Sequence, residues 1–129
     1  MIVLRTYLTV GIIILMLGLG SYWHNQYINS STFSLEGMLI AVEDLIQSRH
    51  WDKANQQMDQ LKKEWDETKK LWSILLDHQE IDNIDLSLKR AEKYILENEA
   101  ALSLGEVAAL RLLFNHIADT ETITFQNIL

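Results

Sequence analysis

Two hydrophobic patterns divide this chain. From Thr6 to Trp23 the residues TYLTVGIIILMLGLGSYW are uncharged and mostly apolar without a break. From Ser34 onward apolar positions instead recur every three or four residues, the spacing of helices with one buried face. A helix over the first stretch spans ~27 Å, close to the hydrocarbon thickness of a bilayer. The reading is therefore all-α: one N-terminal transmembrane helix followed by a small antiparallel bundle of about four helices. Residues 1–24 form the anchor, 25–33 a juxtamembrane link or, with no proline to interrupt it, a continuation of the anchor helix by two or three turns, and 34–129 the helical domain.

Within the domain, Ser34 is a fair N-cap. Leu35, Met38, Leu39, Val42, Leu45 and Ile46 then share one face of a first helix. Ser48 to Asp52 reads as a tight turn. The second helix carries the most regular stripe: Trp51, Ala54, Met58, Leu61, Trp65, Thr68, Trp72 and Leu75. Spacings that alternate between three and four make a heptad-like seam, so Trp65 and Trp72 belong to the core. The charged opposite face offers the pairs Lys62–Asp66 and Lys63–Glu67.

The phase breaks after Leu76, where Asp77 and Glu80 have the spacing of a capping box. A third helix follows over about His78–Glu97, with the stripe Ile74, His78, Ile81, Ile84, Leu88, Ala91 and Ile95. Without that break, residues 51–97 would form a rod of ~70 Å, too long for a compact domain. Asn98 ends the third helix. A fourth runs from about Glu99 to Ile117, with Leu102, Val107, Leu110, Phe114 and Ile117 inward. The apolar terminus Phe125-Gln126-Asn127-Ile128-Leu129 is expected to dock on the bundle. Trp51-x-x-Ala54 after a turn resembles tetratricopeptide hairpins, but no period of about 34 residues appears.

Composition sharpens this picture. The chain has no proline, and three of its five glycines (Gly11, Gly18, Gly20) lie inside the apolar segment. A sheet protein needs more turn residues than that. There is no cysteine, which removes disulfides, thiolate metal sites and thiol nucleophiles together. All eighteen Asp and Glu, but only ten of the eleven Lys and Arg, lie beyond the apolar segment. So acidic a domain repels phosphate, which argues against nucleic acid as a partner.

Arg5 is the only basic side chain before the apolar segment, and none follows it until Arg49. The positive-inside rule then orients the chain as a single-pass protein of the cytoplasmic membrane, N-terminus in and C-terminal domain extracytoplasmic. Tyr7 at one end and Tyr22, Trp23 and Tyr27 at the other suit the two interfacial belts. A cleaved signal peptide is the competing reading. Its single charge and long apolar core argue against it, and it leaves the domain on the same side.

The run LLDHQEIDNIDLSLKRAEKYI (Leu75 to Ile95), then LRLLFNHI (Leu110 to Ile117) and the terminal FQNIL, resembles an uncharacterised family of short, membrane-anchored helical proteins. That family, filed as a domain of unknown function, belongs to Gram-positive, endospore-forming bacteria. The resemblance covers essentially the whole chain. It implies a bacterial single-pass protein with a role at the spore or cell membrane, and it implies no activity.

The residues themselves offer one polar constellation. His78 and Asp82 lie one turn apart, Asp85 sits a turn further, and antiparallel packing of the last two helices brings Arg111 and His116 toward them. The expected arrangement is a buried structural network in which Asp82 or Asp85 pairs with Arg111. The sharper alternative is a divalent metal site of His78, Asp82 and His116. Bundle metal sites normally carry paired Glu-x-x-His motifs, and this chain has none. No nucleotide loop, nucleophile elbow or metalloprotease motif occurs, and Ser73 or Ser87 beside His78 has no oxyanion hole. The expectation is a non-enzymatic structural or interaction module without a cofactor. It would be held in the lipid bilayer by residues 6–23 and would dock a membrane or envelope protein through a helix face or the Trp-rich seam. An unmatched helix face also leaves homo-oligomerisation open. The alternative function is a metal- or pH-responsive sensor or accessory subunit using His78, Asp82 and His116.

Overall fold

A computed structural model describes the backbone of residues 1–128, and side chains up to residue 119 apart from Asn25, Ile28 and Asn29. Among the described residues the chain is all-α and forms four helices: α1 (Ile2–Gln47), α2 (Trp51–Leu75), α3 (His78–Leu96) and α4 (Ala100–Ile128). The sequence reading counted an anchor helix plus about four more. The difference lies in α1, which runs through 25–33 without interruption, the continuous one of the two readings of that stretch. Nothing in HNQYINSSTF breaks a helix, because it contains neither proline nor glycine. The apolar segment and the first bundle helix are therefore one rod.

The first part of that rod, Ile2–His24, is long and apolar enough to cross a membrane, and no part of its 18-residue apolar window is buried. Its threonines solve the problem of a hydroxyl in an apolar setting locally. Thr6 Oγ1 donates to the Ile2 carbonyl at 2.9 Å, and Thr9 Oγ1 to the Arg5 carbonyl at 2.8 Å.

The two longer turns close in the same way. Arg49 N–H donates to the Ile46 carbonyl and His50 N–H to that of Leu45. Asn98 and Glu99 repeat the pattern onto Ile95 and Tyr94. Both are Schellman motifs, each with a left-handed residue just past the cap: Arg49 at φ 62° and Asn98 at φ 57°. The α2–α3 break is different. Leu76 is extended, and Asp77 caps α3 by accepting from the Gln79 N–H at 3.2 Å.

Each helix packs on its chain neighbours, and α4 closes the ring onto α1. The shared core contains Leu35, Leu39, Val42 and Ile46 of α1, Ala54, Met58, Leu61, Trp65 and Trp72 of α2, Ile81, Ile84, Leu88, Ala91 and Ile95 of α3, and Val107, Leu110, Phe114 and Ile117 of α4. Three rings meet at its centre. Trp65 and Trp72 stand edge to face with centroids 5.5 Å apart, and Phe114 lies 5.8 and 6.2 Å from them.

Four stripe positions face solvent instead. Ile74 and His78 are exposed because the extended Leu76 resets the helical phase between α2 and α3. Leu75 is exposed at the last residue of α2. Leu102 also points outward, because counting back from Val107 in helical steps reaches Ser103, which takes the buried place. The side chains of the expected docking terminus lie outside the described residues.

Candidate functional site

Polar side chains flank the apolar stripes where helices meet, and three junctions carry a carboxylate-centred bond. Between α2 and α3, the indole N–H of Trp65 donates to Asp85 Oδ1 at 2.7 Å, and Lys69 Nζ approaches the same carboxylate at 3.2 Å. Lys62 and Glu92 add an ion pair at 2.7 Å along that junction. Between α3 and α4, Glu106 accepts from Ser87 Oγ at 2.8 Å and pairs with Arg90 Nε at 2.8 Å. Between α4 and α1, Arg111 bridges two carboxylates, Glu36 at 3.2 Å and Glu43 at 3.3 Å.

The expected network is therefore corrected. Arg111 faces α1, not α3, and pairs with neither Asp82 nor Asp85. Asp85 is engaged by Trp65 and Lys69 of α2. His78, Asp82 and His116 are all exposed, so the five residues do not converge in a buried cluster. Among the described residues no group of three or more His, Asp and Glu is placed to hold a metal ion. The expected local pairs of α2 are replaced too: Lys62 reaches across to α3, and Glu67 pairs with Lys70 at 3.3 Å.

What the sequence reading missed is the role of Glu36 and Glu43. They stand seven residues apart beside the buried Leu35, Leu39 and Val42, a spacing that puts both on one flank of α1. A single cation at that flank can serve both, and the two-pronged guanidinium does so.

These contacts tie neighbouring helices together in register. Trp65 and Trp72 are fully buried, so both belong to the core. The surface differs between faces. A groove of about 270 Å³ runs between α3 and α4, lined by Asn83, Leu86, Arg90, Ala109, Leu112 and Leu113. Leu86 and Leu112 are exposed within it.

A family model described as a domain of unknown function, DUF4363, matches residues 22–128. The chain belongs to the DUF4363 family. The matched region of this DUF4363 protein begins at the last residues of the apolar segment and takes in the whole bundle, including every interhelical bond described above. No curated protein and no solved structure matches it.

Proposed function

We propose that this DUF4363 protein is a non-enzymatic, membrane-anchored interaction module, carried rigidly at the outer face of the cytoplasmic membrane. The observation that carries the reading is the continuity of α1. One helix supplies both the apolar segment of Ile2–His24 and a full wall of the bundle core. A domain on a flexible tether samples many orientations, whereas one built on its own anchor helix presents a fixed face. Charge asymmetry around the apolar segment supports the extracytoplasmic side. The resemblance to proteins of endospore-forming bacteria supports a place in the spore or cell envelope.

The face that fits docking is the α3–α4 groove. It runs along the bundle axis, and so along the direction set by the anchor. Its occupant is a helix of a membrane protein that continues out of the bilayer beside α1. Such a helix lays apolar side chains against Leu86 and Leu112. α4 itself contains a second stretch, Ala100–Asp119, apolar enough for a span. Its packing against α1 and α3, with Arg111 paired to α1, supports its place in the bundle instead.

Crosslinking in native membranes followed by affinity purification tests the proposal. Recovery of one membrane protein, lost on Leu112→Glu, is the expected result. Repeated recovery of this chain alone contradicts it.

A further inference from the structure

The outer face of α2 changes character in its last turn. From Asp52 to Lys70 every exposed position is polar or charged. Then Leu71, Ile74 and Leu75 are exposed at 50%, 78% and 42%. Three large aliphatic side chains facing water at one helix end are unlike the rest of the helix.

Their height along the molecule gives them a partner. α2 has 25 residues and runs back along α1 from the turn at 48–50. At the common helical rise, its ~37 Å length brings Leu75 level with Trp23 of α1. That is the end of the apolar segment, Ile2–His24. Two further observations agree. Ser21 and His24 are half-buried on α1 at this level, ahead of Thr32, its first fully buried residue among those described. Tyr22, Trp23 and Tyr27 are exposed there, the residue types that occupy a membrane interface.

We infer that the α2–α3 turn is a second membrane contact, in which Leu71, Ile74 and Leu75 insert into the interfacial layer of the lipid beside the anchor. The inference rests on the reading of residues 6–23 as a bilayer anchor. The nearby charges are mixed, with Lys69 and Lys70 paired to Asp85 and Glu67 and Asp77 at the turn. The contact is therefore apolar and needs no anionic headgroup. Its consequence is mechanical: a domain held at two points cannot swing about the anchor axis.

The absence of cysteine makes the test clean. Full-length protein carrying a single cysteine at Ile74, Asp52 or Leu15 is labelled with an environment-sensitive fluorophore. It is reconstituted in phosphatidylcholine vesicles containing doxyl-labelled acyl chains, one preparation with the quencher near the glycerol backbone to read Ile74 and one with it near the chain end to read Leu15. Far-UV circular dichroism confirms that each variant retains its helices. Quenching at Ile74 comparable to Leu15 and several-fold above Asp52 is expected. Quenching at Leu15 but not at Ile74 overturns the second contact and leaves the anchor intact. A Ile74 probe shielded from both lipid quencher and aqueous iodide marks a protein contact and also overturns it. Absence of quenching at Leu15 as well removes the anchor, and the inference with it.

Discussion

Trp65 donates its indole N–H to Asp85 at 2.7 Å, tying the centre of the core to the polar edge of the α2–α3 junction. Trp72, two turns along the same seam, is equally buried but its Nε1 has no partner among the described residues. The two tryptophans share a ring cluster and differ in this one bond.

That difference predicts opposite tolerance to phenylalanine. Trp65→Phe leaves Asp85 short of a donor and is expected to lower stability by about 1–3 kcal/mol. Trp72→Phe removes an unsatisfied buried donor, which offsets part of the lost packing, so its cost is smaller. Denaturant unfolding of the two variants, followed by near-UV circular dichroism, checks the order.

Arg111 separates two carboxylates that otherwise face each other across one turn pair of α1. Its side chain is 37% exposed, so solvent screens the pairing and the expected loss for Arg111→Met is about 1 kcal/mol. Arg111→Lys recovers only part of it, because an ammonium lacks the fork that reaches Glu36 and Glu43 separately. The double variant Glu36→Gln, Glu43→Gln should remove most of the effect of Arg111→Met. Thermal unfolding of the four proteins measures the coupling.

Arg49 holds a left-handed backbone conformation that glycine adopts without penalty. Arg49→Gly is expected to stabilise the protein by roughly 0.5–1 kcal/mol, less the loss of the Arg49 Nη1 bond to the Ile46 carbonyl. An increase in the unfolding midpoint of the full chain checks it.

Much of the fold was legible because local chemistry marks its boundaries. Asn98 tolerates the left-handed conformation, Asp77 caps α3, and Trp51 opens α2 after a three-residue turn. Each was placed within a residue or two of its observed position. The stripes of α1 and α2 were legible for the same reason, since their spacing is internal to one helix. The polar site was not. Whether Arg111 faces α1 or α3 depends on the rotation of α4, and Arg111 lies just beside the stripe, where either neighbour is reachable. His78 misled because its stripe was counted through Leu76, where the helical phase is lost. The unbroken α1 was legible only as an absence: ten polar or mixed residues with nothing to end a helix.

Rigidity of α1 predicts a specific effect of breaking it. Ser30 lies on an exposed position of α1, beyond the apolar segment and just before Thr32, the first fully buried residue among those described. Proline there removes a backbone donor and kinks the helix. Ser30→Pro should leave the core of the bundle folded and still membrane-bound. In detergent micelles, where no lipid surface holds the α2–α3 turn, distances by double electron–electron resonance between spin labels at Leu15 and Asp59 should change from a narrow distribution to a broad one.

The central claim is that the apolar start of α1 holds the bundle to the membrane on its outer side. Labelling of a single cysteine at the exposed Asp59, in intact cells and with a membrane-impermeant maleimide, addresses it most directly. The account predicts full labelling before lysis, with the protein recovered in the membrane fraction. Labelling only after lysis contradicts it.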